Sequence, residues 1–328
     1  MIRQAELEDK DKIINFIKEN WQQDHIFVKD EFFFDYFYIE KDKINFILGI
    51  EENEIKAILG FIKYLDKNNN NIFLALWKSI GNSMLGMQCL EYLTERYQVS
   101  SCGINLKTIP IYKFLGFKTG RLKHYYLLNT DRNEFKIAKI DEKKQITFKT
   151  KLIENRIIDF NSMKELLENF NYDDLKKYNF FKSKEYFEKI YFNHPYYKYK
   201  VIGIGNKNNE ITSIIVLREI IINNNKCLRI IDFLGEEKGL KNAENWLKKE
   251  LIKKNYEYID FYEVGIKDET LLEIGFIERK ENDVNIIPNY FEPFVPKNVE
   301  IYYMTSCEEN FRMFKGDGDQ DRPSLVRE

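Results

Sequence analysis

Apolar and polar positions along the chain alternate between a period near two and one near 3.6 residues, predicting strands and helices in succession. Ile2-Arg3-Gln4-Ala5 predicts a short strand, and Asp9 to Trp21 an amphipathic helix with Ile13, Ile14, Phe16 and Ile17 on its apolar side. Phe32 to Tyr38 reads as an aromatic helix or turn. Ile44 to Ile50 and Ile55 to Tyr64 read as strands joined by the polar turn Glu51-Glu52-Asn53-Glu54. There follow a strand at Ile72 to Trp77, a helix at Gly86 to Tyr97, a strand at Val99 to Asn105 and a short helix at Pro110 to Leu115. A strand at Lys123 to Leu128 closes the series.

The same order then recurs. Lys43-Ile-Asn-Phe-Ile-Leu-Gly49 with Asn53-Glu54-Ile55 corresponds to Tyr199-Lys-Val-Ile-Gly-Ile-Gly205 with Asn209-Glu210-Ile211. Leu115-Gly116-Phe117 corresponds to Ile274-Gly275-Phe276. The spacing drifts by only a few residues between the two matches, as small loop insertions would produce, and predicts an internal duplication. The expected organisation is an α/β protein with mixed, mostly antiparallel sheets: a first domain at 1–130, a second at 145–287 and a tail at 288–328. The boundary is expected in the charged stretch Asp131 to Lys151.

Composition narrows the class. The 328 residues carry 51 Lys+Arg against 53 Asp+Glu, a formal charge of −2, which disfavours a nucleic-acid partner. Hydrophobic residues make up 44%, enough for a sizeable core. The first residues lack the apolar run of a signal peptide, no stretch is long enough to span a bilayer, and the four cysteines form no CxxC pair. A cytoplasmic, thiol-reduced protein is expected. His25, His124 and His194 show no metal-binding spacing, so no metal is expected.

One segment carries candidate chemistry. The strand Phe73 to Trp77 leads through the Gly- and Ser-containing loop Lys78 to Gly86 into a helix. Such a loop presents free backbone N–H groups and the positive end of the helix dipole, which suits a pyrophosphate.

The order strand, loop, helix, strand, short helix ending in Leu115-Gly116-Phe117 resembles the GNAT acyltransferase superfamily, most closely over residues 1–128 and more loosely over 145–285. The resemblance implies acetyl-CoA as co-substrate, held by Gly81, Asn82, Ser83, Leu85, Gly86 and Met87. The loop departs from the family's Gln/Arg-x-x-Gly-x-Gly/Ala pattern: one register leaves Gly81 at the basic position and Met84 at the first Gly, and the other, from Lys78, ends in Ser83. Strand N–H groups near Leu76 and Trp77 would polarise the thioester, and Tyr112, five residues before Phe117, would protonate the departing thiolate. Asn105 would bond pantetheine or its own loop. His25 would deprotonate the amine, bind a substrate phosphate, or simply end a helix, with Asp24, Asp30 and Glu31 as alternative bases.

The second copy has Glu236 and Glu237 in its loop and Leu271 in place of the tyrosine, so one acyl-CoA site is expected, in the first half. The acceptor implied is a small molecule, an amino sugar, nucleotide-linked, in surface-polysaccharide biosynthesis. Alternatives are an aminoacyl transferase using charged tRNA and a non-catalytic binding protein. Asp317, Asp319 and Asp321 have calcium-loop spacing but lack the Gly at the sixth position; a solvated tail, or an arm reaching sugar hydroxyls, is expected there.

Overall fold

The computed structural model describes residues 1–64, 70–81, 84–143 and 155–324. The chain forms two compact units, each discontinuous in sequence: Met1–Gly120 with Tyr302–Glu308 and 317–328, and Arg121–Ile301 with Glu309–Gly316.

The first unit begins with β1 (Ile2–Glu6) and α1 (Lys10–Asn20), whose buried Ile13, Phe16 and Ile17 form one stripe. Next come α2 (Ile26–Lys29) and α3 (Glu31–Tyr38), the latter capped by the Asp30 carboxylate, which accepts from the Phe33 amide at 2.9 Å. The strands β2 (Ile39–Glu40), β3 (Lys43–Glu51), β4 (Glu54–Lys63) and β5 (Asn71–Ser79) follow. After α4 (Leu85–Thr94) come β6 (Gln98–Cys102), α5 (Ile109–Phe114) and β7 (Lys118–Arg121). Residues from α4 and from β3 to β6 interleave in one core, with Ile47, Leu59, Leu74, Cys89 and Leu93 nearly or fully inaccessible.

The second unit contains β8 (Lys123–Leu128), β9 (Ile157–Phe160), α6 (Met163–Asn169), α7 (Lys184–Phe187), β10 (Lys200–Gly205), β11 (Ile211–Ile222) and β12 (Asn225–Gly235). It continues through α8 (Lys238–Asn242), α9 (Glu244–Lys253), β13 (Tyr258–Val264), α10 (Asp268–Glu273) and β14 (Ile277–Arg279). The last part of the chain supplies a hairpin of β15 (Tyr290–Phe291) and β16 (Phe294–Val295), then β17 (Tyr302–Thr305) and β18 (Met313–Phe314).

Both sheets follow one plan. The first runs β1-β3-β4-β5-β6-β17-β7 and the second, read the same way, β9-β10-β11-β12-β13-β8-β14. In each, the first four strands are antiparallel neighbours, and the fourth and fifth are parallel. Even the irregularities coincide. The register slips past Lys56 in the first sheet and Thr212 in the second, 156 residues apart, and past Leu76 and Ile231, 155 residues apart. The duplication expected from sequence is therefore visible as a repeated strand order.

Sheet membership holds the surprise. Lys123–Leu128, which closes the first series in sequence, pairs with β13 and β14 in the second sheet. The corresponding place in the first sheet is taken by β17, from the far end of the chain, beside β6. The expectation of a solvated tail is also corrected. Asp317, Asp319 and Asp321 are buried: Tyr64 donates to the Asp317 carboxylate at 2.8 Å, and Arg322 donates to Asp319 at 3.1 Å. Buried carboxylates survive when donors replace water, and Asp317 and Asp319 have them.

The second unit also buries a charged relay. Arg229 grips Asp260 through Nε at 2.9 Å and Nη2 at 2.6 Å, His124 Nε2 lies 2.9 Å from Asp260, and Arg279 donates to His124 Nδ1 at 3.1 Å. Because Nδ1 accepts, the single proton of neutral His124 sits on Nε2 and is given to Asp260. Burial drives the His124 pKa down to about 4, consistent with that neutral form.

Met304 of β17 is fully inaccessible in the first unit's core. Met304→Ala should destabilise that unit by ~2–5 kcal/mol. Hydrogen exchange should show faster exchange in β5 and β6 while β10 to β12 keep their protection.

Candidate active site

In the first unit, β5 and β6 run parallel only through Phe73 and Ser100. Beyond that the two strands separate, with Ser101 Oγ donating to the Leu74 carbonyl at 3.0 Å at the fork. Among the described residues no strand pairs into this gap. At the fork β5 carries its bulge: Leu59 faces Trp77 and Gly60 faces Ala75, leaving Leu76 unmatched with φ at +38°. A bulge re-aims the backbone of one strand, and a branched residue at positive φ is an outlier that the surroundings must hold in place.

Helix α4 starts above this fork. Its N-cap residue Met84 provides no side-chain cap, and the first intrahelical bond runs from the Gln88 amide to Met84. The amides of Leu85, Gly86 and Met87 therefore have no acceptor within the helix and sit at its positive end. Gly86 lets the helix approach the strand closely. A Cβ there would lie 3.0 Å from Ser79 Oγ and 3.4 Å from the Trp77 indole nitrogen, which donates to the Gly86 carbonyl at 3.0 Å. Gly81 takes φ +73° in the loop, and Asn82 and Ser83 lie outside the described residues.

Tyr112, on α5, packs against Trp77 with ring centroids 5.8 Å apart and is 3% exposed. Burial raises its pKa, opposed by a hydrogen bond with the Thr108 side chain, so the phenol keeps its proton. Tyr112, Trp77 and Leu85 thus pack against one core, and Trp77 directly follows the bulge residue. Asn105 does not join it: exposed, it caps its own turn by accepting from the Lys107 amide at 2.9 Å.

His25 begins α2, its Nδ1 3.2 Å from the Phe27 amide and its Nε2 3.3 Å from Arg322 Nη2. Both neighbours are donors, and neutral imidazole has one acceptor nitrogen, so only one contact is a hydrogen bond. Burial and the Arg322 charge lower its pKa to about 4. Sequence reasoning placed His25 at the end of the first helix but could not foresee Arg322 arriving from 297 residues away.

The second unit repeats the fork and then fills it. β12 and β13 pair through Ile230 and Phe261, and Ile231 is the bulge residue. Into the gap comes β18, pairing Phe314 with Glu263 and Met313 with Val264, while the Gly316 amide donates to the bulge carbonyl of Ile231 at 2.8 Å. Glu237 in the following loop accepts from the Lys267 amide at 2.9 Å and the Thr270 hydroxyl at 2.6 Å. Glu263 is 1% exposed, and its Oε1 has no hydrogen-bond partner among the described residues.

No protein-family model matches the sequence, and neither does any curated protein. Solved structures do. A GCN5-related N-acetyltransferase from Anabaena variabilis superposes with a TM-score of 0.58 at 10% identity, over 93% of this chain and 72% of that one. The fold is that of the GCN5-related N-acetyltransferases. A protein of unknown function from Enterococcus faecalis, a probable N-acyltransferase, gives a TM-score of 0.53 at 8% identity, over 93% of this chain and 71% of its own. The mixed α/β architecture expected from the resemblance is thus found. Among the described residues no helix is long and apolar enough to cross a membrane, and no cluster of His, Cys, Asp or Glu could hold a metal ion. All four cysteines are buried, and none is in a disulfide.

Burial raises the Glu263 pKa to about 8. Below about pH 4.5 the carboxyl is protonated in folded and unfolded chains alike. As pH rises toward 8 the unfolded chain ionises first, so stability present at low pH is lost through this window. Glu263→Gln cannot ionise, and it should melt on the order of 10 °C higher than the parent at pH 8 but within about 1 °C of it at pH 4.5. Thermal denaturation followed by circular dichroism at the two pH values checks this.

Proposed function

We propose that the first unit is an N-acyltransferase that moves an acyl group, acetyl in the simplest case, from coenzyme A to the amine of a small acceptor. The observation that carries this reading is the contrast between two copies of one fork. In the first unit the strands part below an uncapped helix start, and in the second the chain's own β18 occupies the gap. Unpaired strand edges and helix amides without an acceptor are what an amide-rich pantetheine and its pyrophosphate would need. Leu85, Gly86 and Met87 would hold the phosphates, with Gly81, Asn82 and Ser83 in the preceding loop.

In this reading the acceptor nitrogen attacks the thioester carbonyl, the C–N bond forms and the C–S bond breaks. Backbone N–H groups at the Leu76–Trp77 bulge would stabilise the oxyanion. Tyr112, protonated and beside Trp77, would give its proton to the thiolate. His25 is a weak base at a pKa of about 4, so the amine would have to enter already neutral, and His25 would position rather than deprotonate it. Asn105, exposed at its turn, would touch pantetheine only at the mouth.

The finer proposal is that the acceptor is an amino sugar, nucleotide-linked, used in building surface polysaccharide. It rests on the resemblance alone, since the Asp317 and Asp319 carboxylates are already taken by Tyr64 and Arg322. A protein acting this way on cytoplasmic metabolites would itself work in the cytoplasm.

Acetyl-CoA should raise the melting temperature in a differential scanning measurement. Gly86→Val, which forces α4 off its strand, should abolish that shift. With an accepted amine, Tyr112→Phe should lower kcat by roughly 100-fold and leave the KM for acetyl-CoA within about twofold. Absence of stabilisation by any CoA ester would overturn the proposal.

A further inference from the structure

Within the second unit a pocket opens between the segment that follows residue 174, the end of β12 and the β18 segment. Its walls are apolar: Leu175, Phe180, Phe181, Phe233, Leu234 and Phe314. Its polar groups are few and unequal. Lys182 is neutralised, its Nζ 3.1 Å from Asp232, a carboxylate that also takes the Tyr191 hydroxyl at 2.5 Å and the Phe233 amide at 2.8 Å. Arg312 has no ion pair; Glu237 and Glu263 act on it only at longer range, and burial outweighs them. Its Nη1 donates to the Gly235 carbonyl at 2.7 Å, and its guanidinium lies 4.0 Å from the Tyr178 ring centre and 5.8 Å from that of Phe233. Among the described residues no carboxylate lies within ion-pair distance of it.

A cation half-buried among aromatic rings without an ion-paired carboxylate is unfavourable unless something supplies that contact. The Gly235 carbonyl cannot do more, since it already accepts from both Arg312 and the Tyr178 hydroxyl at 2.8 Å. The backbone of the wall is itself held at a cost. Phe180 sits at φ +65°, an outlier for a bulky side chain, and such outliers concentrate where a ligand or a switch is held.

We infer that this pocket binds a small organic carboxylate with an aromatic or branched apolar body, its carboxylate on Arg312 and its body against Phe181, Phe233 and Phe314. One planar guanidinium matches one carboxylate in fork geometry. A phosphate monoester would bring more charge than a single unpaired cation offsets, and Lys182 is already committed to Asp232. The site is separate from the fork of the first unit, so its existence does not depend on acyl transfer there.

The test is NMR titration of the full chain with phenylacetate and 4-methylpentanoate, each against its neutral amide. The acids should bind at least tenfold more tightly than the amides. Arg312→Gln should reduce the acids to the level of the amides, and Arg312→Lys should recover part of the difference. Because Arg312 also holds the Gly235 carbonyl, a second measurement uses the unaltered protein: phenylacetate should slow phenylglyoxal modification of Arg312, read by peptide mass spectrometry, and phenylacetamide should not. Equal binding of acid and amide, binding of neither, or protection absent at Arg312 overturns the assignment.

Discussion

Backbone pairing at β8 and β17 is the constraint on which both units rest. A sheet edge left open presents unpaired N–H and C=O groups, and each sheet here is completed beside its fifth strand by a segment remote in sequence. β17 also brings Met304 into the first core, while His124 on β8 gives the buried Asp260 its second donor after Arg229. Removing one partner from such a pair strands a charge in low dielectric. The geometry of each fork, and everything placed around it, follows from strands held in this order.

The two forks show how one backbone plan takes opposite roles. The bulge, the parallel pairing and the separation of strands recur at nearly constant spacing, so they belong to the fold itself. What differs is the neighbouring chain. Gly316 and β18 satisfy the second fork's backbone internally, and Glu237 satisfies the turn after it. Among the described residues nothing caps the helix amides at the first fork, and a glycine lets α4 approach the strand.

Much of this was legible in the sequence. The two series of elements, the Glu236-Glu237 departure and the special standing of the Gly86 region follow from periodicity and from the repulsion between carboxylate and phosphate. Sheet membership was not legible, because Lys123–Leu128 alternates in the same way whichever sheet it joins, and side-chain pattern records burial rather than partner. The tail misled through its polarity: Asp317 and Asp319 look solvated until Tyr64 and Arg322 appear as their donors, 253 residues away in the first case and three in the second. Tyr112 was legible as an aromatic near the short helix, but its packing against Trp77 required the fold. Arg312 carried no signal at all, since an unpaired cation is defined by what fails to surround it.

The position of β17 also sets a clock. Ribosomes extend a chain by roughly 5–20 residues per second, so the strand that seals the first sheet emerges on the order of 10–40 s after β6. Throughout that interval the growing chain exposes the outer edge of β6 and the apolar hollow that Met304 fills. The first unit, although made first, is finished last, and the nascent protein needs either a transient partner for that edge or surroundings dilute enough to leave it alone.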